Sequence, residues 1–346
     1  MFKDFVWDVR RVKFRYDSAS SFLAPSKNDV RGIRSLGCER NTYQRGILMK
    51  IKNVLIVGTG TLGSQIGFQC ARHGFKTTMY DLREEGLEFC KKSHQEIGQA
   101  TKADLGLDDD AIAAAHANLS YTTDLAAAAK DCDLVSESVP EDPDLKRKVF
   151  AELNEVCPDL TIFTSNSSTL LPSEIADGTG RPERFLALHF ANRIWVANVG
   201  EVMRHPGTDP EVFERVLKFA AEIGMVPIRI EKEHNGYVLN ALLIPLLDAA
   251  QTLVANGIAS PEDVDRTWMI STHVPAGPFA TMDIVGLETV FAIGDHWANV
   301  TGDEQKRTNA DWLKENYLDK GLLGMKSGEG FYKYPDPEFA KPEFLK

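Results

Sequence analysis

A histidine and a glutamate stand twelve residues apart in two segments that both have the pattern of buried strands. His189 lies within Phe185–Phe190, and Glu201 lies within Val199–Met203. If these two strands are neighbours in a sheet, the imidazole and the carboxylate can lie side by side. A carboxylate on one imidazole nitrogen fixes the tautomer and makes the other nitrogen more basic. The pair is therefore a candidate general base for a hydroxyl proton.

A run of short polar residues, Ser165-Asn166-Ser167-Ser168, follows another predicted strand, 161–165. Loops at the carboxyl ends of parallel strands line the ligand crevice of an open α/β sheet. We therefore expect Asn166 and Ser168 to face a bound ligand. A second interpretation of Ser168 is a cap for the helix that begins near Pro172.

A glycine-rich turn follows the hydrophobic segment Asn53–Val57 and precedes a helical pattern that runs to about His73. In such a turn the first glycine permits the bend, the second lets the backbone approach a pyrophosphate, and the third allows close helix–strand packing. The helix N-terminus offers N–H groups and a positive dipole end to the phosphates. The turn predicts a dinucleotide site formed by Gly58, Gly60, Thr61, Leu62 and Gly63.

An aspartate, Asp81, follows the next predicted strand, Lys76–Tyr80, and lies 18 residues after Gly63. A carboxylate at this place accepts the ribose hydroxyls and repels a 2′-phosphate. We therefore predict NAD rather than NADP as the cofactor. Arg83 is close enough to favour NADP, but an arginine at a helix start is usually solvated.

These residues stand at the ends of segments that alternate between strand and helix. The pattern predicts further strands at 134–139 and 226–230, and helices at 83–102, 111–117 and 124–130. Such alternation predicts an α/β fold, a Rossmann-like doubly wound and mostly parallel sheet. Strand signals stop after about Glu233, and helical patterns dominate from Tyr237 to Trp297. We expect an NAD-binding domain over 49–232 and an all-helical domain over 233–346.

The composition excludes several classes of protein. The chain has 346 residues and a net charge of −11, which disfavours nucleic-acid and anionic membrane partners. The longest apolar stretch, 237–259, is interrupted by polar residues and a proline, so it predicts a buried helix. Five cysteines without a C-x-x-C pair argue against disulfides and zinc. We expect no metal and a cytoplasmic location.

The first 48 residues differ from the rest of the chain in charge. They hold ten basic and five acidic residues, mixed with aromatics and followed by a polar stretch. Acidic residues are atypical of a transit peptide. We interpret 1–48 as a poorly structured basic extension, with Met49 as an alternative start. A targeting or binding arm is the other interpretation.

The ordered motifs from Ile51 to Tyr334 resemble those of the L-3-hydroxyacyl-CoA dehydrogenases, including bacterial 3-hydroxybutyryl-CoA dehydrogenases. Besides the groups above, the matching motifs are Gly236-Tyr237-Val238-Leu239-Asn240, Gly277-Pro278-Phe279, Val285-Gly286-Leu287 and the segment 326–332. The resemblance implies NAD-dependent oxidation of a short-chain 3-hydroxyacyl-CoA at C3, or the reverse reduction. It also implies that the helical domain helps to bind the substrate and dimerises.

The resemblance further implies roles for single residues. His189 is the base and Glu201 its partner, while Ser168 and Asn240 hydrogen-bond the 3-oxygen of the substrate. For Asn240 the alternative is a bond to helix backbone alone. The remaining predicted cofactor contacts are Glu141, Lys146, Asn166 and Lys326.

The chain departs from the family pattern beside the histidine and in the helix after Asp81. Arg193 stands where the family usually has a proline, and Ile97 and Asp104 stand where some members place a serine and a lysine for coenzyme A. Arg193 is either a ligand for a substrate carboxylate or a surface residue. Two alternatives stay open. One is a dehydrogenase of a free 3-hydroxy acid, such as a gulonate- or carnitine-type substrate, and the other is a non-catalytic dinucleotide-binding sensor.

Overall fold

An eight-stranded sheet dominates the amino-terminal part of the computed structural model, which describes residues 50–346. The prediction for residues 1–48 lies outside the described residues. The strands are β1 (Asn53–Val57), β2 (Lys76–Tyr80), β3 (Leu119–Thr122), β4 (Leu134–Glu137), β5 (Ile162–Ser165), β6 (Phe185–Phe190), β7 (Val199–Met203) and β8 (Val226–Ile230). The strand order is β3-β2-β1-β4-β5-β6-β7-β8. Neighbouring strands are parallel except for the antiparallel pair β6–β7.

Both faces of the sheet are buried, and β1 shows how. Val54 and Ile56 belong to one apolar cluster, and Leu55 and Val57 belong to another. Successive side chains of a strand point to opposite faces, so each face of β1 packs against its own layer of helices. The first six strands have the Rossmann order. The predicted Rossmann-like α/β domain is therefore confirmed.

The helices between these strands are α1 (Thr61–Arg72), α2 (Glu84–Leu105), α3 (Asp109–Ala117), α4 (Leu125–Ala129), α5 (Pro143–Val156), α6 (Pro172–Ala176) and α7 (Pro210–Glu222). Aspartate side chains accept hydrogen bonds from the first turns of four of them, α3, α4, α5 and α7. Proline at the first helical position of α5, α6 and α7 fixes a helical backbone angle.

A helical domain follows β8, as predicted. Its helices pack around a third apolar cluster that includes Phe279, Met282, Leu287 and Leu313. No helix among the described residues is long and apolar enough to cross a membrane. The helices are α8 (Leu239–Ala255), α9 (Pro261–Thr272), α10 (Pro278–Val285), α11 (Leu287–Thr301) and α12 (Glu304–Asn316).

Two buried aspartates explain two of the four glycine motifs of the helical domain, Gly277-Pro278-Phe279 and the segment 326–332. Asp265 accepts hydrogen bonds from the first amides of α10, and Asp283 accepts them from the amides of Phe331 and Tyr332. A Cβ at Gly330 would lie 2.1 Å from a carboxylate oxygen of Asp283. These motifs therefore attach the C-terminal segment to the helical core.

Candidate active site

The register of the antiparallel pair β6–β7 sets His189 directly opposite Glu201. Imidazole Nδ1 lies 2.9 Å from Glu201 Oε2. Both side chains are buried, with 4% and 2% of the residue exposed. The structure thus brings together the two residues predicted as a base and its partner.

The second oxygen of Glu201 is bound by the first turn of the helical domain. The backbone N–H groups of Val238 and Leu239 donate to Oε1, each at 2.9 Å. Burial on its own would raise the pKa of this carboxyl, but the bonds from His189 and the two amides outweigh it, and the pKa is lowered. Glu201 is therefore ionised at neutral pH, and its charge places the imidazole proton on Nδ1.

The other imidazole nitrogen faces Ser168. Nε2 lies 3.0 Å from Ser168 Oγ, so the serine hydroxyl donates to the unprotonated nitrogen. The interpretation of Ser168 as a helix cap is wrong, because the N-cap of α6 is Leu171. The serine hydroxyl and the base nitrogen converge at one point, where the oxygen of a substrate can take part in both bonds.

A cavity of about 240 Å³ opens between the glycine turn and the loops that follow β4 and β5. Ser168 lies in its wall, so the cavity reaches the serine whose hydroxyl bonds the base. Ser138, Val139 and Thr169 also line it. The predicted site residues in its wall are Gly60, Thr61, Leu62, Gly63, Glu141, Lys146, Asn166 and Ser168.

The glycine turn leaves room for a phosphate at the start of α1. Gly58 has a φ of +94°, and a Cβ there would lie 2.6 Å from the carbonyl oxygen of Ser138. Gly60 is the N-cap of α1, and no side chain caps the free backbone amides of the first turn of this helix. A Cβ at Gly60 would meet nothing within 4 Å. Uncapped helix amides beside open space bind anionic phosphates, so the turn fits the pyrophosphate of NAD.

Asp81 is held beside this turn at the end of β2. Its Oδ2 accepts from the amide and hydroxyl of Thr59 at 3.2 and 2.8 Å, and its Oδ1 accepts from the Arg83 amide at 3.2 Å. A Cβ at Gly86 would press against the carboxyl group of Asp81, so a larger residue there would displace the carboxylate. A carboxylate has about four acceptor positions. The remaining ones are available to ribose hydroxyls.

Lys146 is buried, although the neighbouring Arg147 and Lys148 make its segment look solvated. Its Nζ lies 2.7 Å from Glu137 Oε1 and 3.3 Å from Glu141 Oε2. The side chains of Lys146 and Glu137 are 1% and 0% exposed. Burial raises the pKa of Glu137, against the lowering effect of Lys146 and of the Ser165 hydroxyl. This ion pair ties α5 to the end of β4 beneath the cavity.

Glu141 carries a negative charge at the wall of the cavity. It accepts hydrogen bonds from the Ser167 hydroxyl and from the amide and hydroxyl of Thr169. Partial burial would raise the pKa of Glu141, but these bonds and the charge of Lys146 outweigh it and lower the pKa to about 2. Asn166, beside it, accepts the Phe190 amide at 3.0 Å and thereby ties β5 to β6.

Seven of the predicted site residues are not part of the cavity wall: Gly58, Asp81, His189, Glu201, Asn240, Arg193 and Lys326. Lys326 is exposed and pairs with Glu288 at 3.1 Å. The guanidinium of Arg193 lies 2.8 Å from Asp104, which also accepts from the Trp195 indole at 2.7 Å.

Asn240 is the second residue of α8 and directly follows Val238 and Leu239, whose amides bind Glu201. The backbone N–H of Asn240 donates to the carbonyl oxygen of Gly236 at 3.0 Å. None of the hydrogen bonds found within residues 50–346 uses its side-chain amide, so the alternative of a side chain bonded to helix backbone is not observed.

Ser138, Val139 and Thr169 of the cavity wall were not predicted from the sequence, and neither were two residues beside the base and the lysine. Glu137 neutralises Lys146, and the signal for it was a carboxylate at the end of a buried strand beside the glycine turn. Tyr237 stacks on His189 with ring centroids 4.4 Å apart. Tyr237 belongs to the motif at 236–240, but nothing in the sequence indicates a contact between these rings.

Comparison with known proteins places these features in a family. Residues 53–234 match the family model described as the NAD binding domain of 3-hydroxyacyl-CoA dehydrogenase, and residues 236–334 match the model of its C-terminal domain. The probable 3-hydroxybutyryl-CoA dehydrogenase of Bacillus subtilis is 32% identical over 295 residues, which cover 83% of this chain and 99% of that protein.

Solved structures agree with these matches. One solved structure is a diketoreductase, described by its substrate-directed dual catalysis of dicarbonyl compounds. It is 50% identical to this chain with a TM-score of 0.78, and the match covers 83% of this chain and all of that one. The (S)-3-hydroxybutyryl-CoA dehydrogenase of Ralstonia eutropha has 28% identity and a TM-score of 0.71 over the same shares of the two chains. The chain therefore belongs to the 3-hydroxyacyl-CoA dehydrogenase family and is an NAD-dependent oxidoreductase.

Proposed function

We propose that the protein interconverts L-3-hydroxyacyl-CoA and 3-ketoacyl-CoA with NAD, as an enzyme of fatty acid metabolism. The observation that carries this proposal is the line of hydrogen bonds from Ser168 through His189 to Glu201, which begins at the wall of the predicted cofactor cavity. The name of the Bacillus subtilis relative favours a short acyl chain, with 3-hydroxybutyryl-CoA as the representative substrate.

The mechanism follows from the protonation states of the dyad. Ser168 holds the 3-hydroxyl oxygen of the substrate, and Nε2 of His189 accepts the hydroxyl proton. Glu201 stabilises the imidazolium that forms, because a negative charge lies beside it in a buried site. Bound NAD supplies the acceptor for the hydride that leaves C3. In the reverse direction Nε2 returns the proton as the ketone is reduced.

Asn240 is proposed as the second ligand of the substrate oxygen. It lies one residue after Leu239, whose amide binds Glu201. A side-chain amide can donate to the 3-oxygen while the serine holds it from the other side. Lys326 and Arg193 are weaker proposals for the cofactor and for the substrate, because each is already paired with a carboxylate.

The reduction of a 1,3-dicarbonyl compound without coenzyme A is the second candidate. The observation that favours it is the 50% identity to the diketoreductase. A 3-ketoacyl thioester is itself a 1,3-dicarbonyl compound, so both candidates need the same base and the same oxygen site. The sensor alternative is not favoured, since Ser168, His189 and Glu201 form a proton path that cofactor binding does not require.

NADH oxidation with a matched panel of substrates tests the proposal. The panel contains acetoacetyl-CoA, ethyl acetoacetate and free acetoacetate, each measured for kcat/KM. We expect the thioester to have the highest kcat/KM. A higher value for the ester would favour the second candidate. A preference for free acetoacetate that Arg193→Ala removes would support the free-acid alternative.

We also propose that the protein is a homodimer whose subunits meet through the helical domain. Val238, Leu242 and Leu253 are exposed on α8 or at its start, with Leu242 71% exposed. Together with Pro245 and Ala249 they recur every three or four residues, which puts them on one face of the helix. An exposed apolar stripe of this kind is typical of a helix that packs against a second subunit.

We also propose a cytoplasmic location. Four cysteines of the described chain are free and buried, and the sulfurs of Cys132 and Cys157 lie 3.6 Å apart without a disulfide bond. Unbonded neighbouring thiols favour a reducing compartment.

A further inference from the structure

The segment between β8 and α8 passes directly behind the base. The ring of Tyr237 lies parallel to the imidazole of His189, with centroids 4.4 Å apart and planes inclined by 16°. Tyr237 is 3% exposed, so the stacked rings exclude water from this face of the imidazole. Rotation of the imidazole about its own axis would break the stack as well as the bond to Glu201.

The hydroxyl end of the same side chain is also fixed. Tyr237 donates to the carbonyl oxygen of Ser167 at 2.6 Å. Burial raises the pKa of this phenol, so it stays protonated and keeps donating. Ser167 directly precedes Ser168, whose hydroxyl bonds His189. One side chain therefore restrains both the ring of the base and the backbone that carries its serine partner.

The backbone of this segment has a conformation that a tyrosine rarely adopts. Gly236 and Tyr237 have φ angles of +81° and +56°. Left-handed backbone is easy for glycine but strained for an aromatic residue, and it persists only where surrounding contacts hold it. Here those contacts are the ring on His189, the hydroxyl on Ser167 and the next two amides on Glu201.

We propose that Tyr237 is a positioning residue for the base, and that through it the first turn of the helical domain fixes His189 in the orientation needed for proton transfer. The hydroxyl of Tyr237 donates to a backbone carbonyl and does not face the position between Ser168 and His189 where the substrate oxygen would bind. The residue therefore acts through His189 and Ser168. The proposal rests on the assigned role of His189 in the proposed function. It also predicts that the domains must be docked before the base is competent.

Two substitutions separate the ring from the hydroxyl. Tyr237→Phe keeps the stack, and we expect its kcat to stay within about threefold of wild type. Tyr237→Leu removes the stack, and we expect kcat to fall about 30-fold, since small misplacements of reacting groups cost up to about 100-fold. The Kd for NADH, measured by fluorescence, is expected to change less than about twofold in both variants.

A control distinguishes positioning from general destabilisation. Phe279→Leu removes a fully buried ring from the core of the helical domain, away from the base. We expect this variant to lower the thermal midpoint but to leave kcat unchanged at a temperature where it is folded. Equal losses of kcat in Tyr237→Leu and Phe279→Leu, or an unchanged kcat in Tyr237→Leu, would overturn the proposal.

A spectroscopic readout keeps the proposal testable if none of the panel substrates is turned over. In wild type and Tyr237→Phe we expect a downfield proton resonance from the Nδ1–H that bonds Glu201, assigned by its absence from His189→Gln. In Tyr237→Leu this resonance should broaden or vanish as the imidazole gains mobility. An unchanged resonance in Tyr237→Leu would contradict positioning, whereas inactivity of wild type toward the panel contradicts only the proposed function.

Discussion

At the scale of single residues, the proposed chemistry depends on where one proton sits. Glu201 is kept ionised by an imidazole N–H and two backbone amides, so Nδ1 of His189 is protonated and Nε2 is free. The histidine and its carboxylate were predicted because they lie on two strands that can be neighbours, and the serine because it follows another strand. It did not predict the two amides, since backbone donors leave no residue signature.

Asp81 supports a prediction about cofactor choice. Its carboxylate is fixed by Thr59 and Arg83 and is expected to repel a 2′-phosphate. Asp81→Asn should raise the Kd for NADH and lower the Kd for NADPH, reducing the preference for NADH about tenfold or more, as measured by fluorescence titration. Asp108→Asn, which changes a cap of α3, is the control. An unchanged preference in Asp81→Asn would show that another group selects the cofactor.

Glu141 supports a prediction about pH. Its pKa lies near 2 in the folded protein against an ordinary value of 4.5. A lowered pKa contributes stability that is complete above pH 4.5 and is lost as the pH falls through about 2. The difference in free energy of unfolding between wild type and Glu141→Gln should therefore shrink steadily as the pH is lowered below 4.5.

Denaturant titrations at several pH values measure this difference. Glu155→Gln, on the exposed side of α5, is the matched control. A Glu141→Gln difference that stays constant or grows on acidification would contradict the assigned charge state.

At the scale of elements, alternation of strand and helix was enough to predict most strands to within two residues. β3 was not predicted, because Leu119–Thr122 is short and none of its residues is fully buried. The antiparallel pairing of β6 with β7 was also beyond the pattern, which predicts parallel strands. Burial of Lys146 could not be predicted, since its local sequence is charged and its partner Glu137 lies on another element.

The buried ion pair predicts a large effect on stability. Lys146→Met leaves the carboxyl of Glu137 buried without its cation, which should lower the free energy of unfolding by about 3–5 kcal/mol. The double variant Lys146→Met with Glu137→Gln should recover part of this loss, because no buried carboxyl remains. Urea unfolding measures both. Lys148→Met changes an exposed lysine of α5 and should leave the free energy of unfolding almost unchanged. Equal free energies of unfolding for Lys146→Met and Lys148→Met would show that the buried ion pair does not stabilise the fold.

At the scale of the whole molecule, the base is shared between two domains. The sheet supplies His189 and Glu201, while α8 and the residue before it supply the amides that hold Glu201. The sequence predicted both domains from the loss of strand signals near Glu233. It did not predict that the start of the helical domain binds Glu201, because contacts between distant segments depend on how the domains dock.

The exposed stripe on α8 predicts the oligomeric state. Leu242→Glu places a charge in the proposed subunit contact and should convert the dimer to a monomer, as measured by light scattering after size exclusion. Leu160→Glu introduces the same charge at an exposed leucine of the sheet domain and should leave the dimer intact. A wild-type protein of monomer mass, or a Leu242→Glu variant of dimer mass, would contradict the proposed interface.

The central claim is that His189 is the base for hydride transfer at a bound NAD. The most direct measurement is the turnover of 3-hydroxybutyryl-CoA by His189→Gln, together with its affinity for NADH. We predict a loss in kcat of about 10²–10⁴-fold, the usual contribution of a general base, with a Kd for NADH within about twofold of wild type. Turnover close to wild type in His189→Gln would contradict the account.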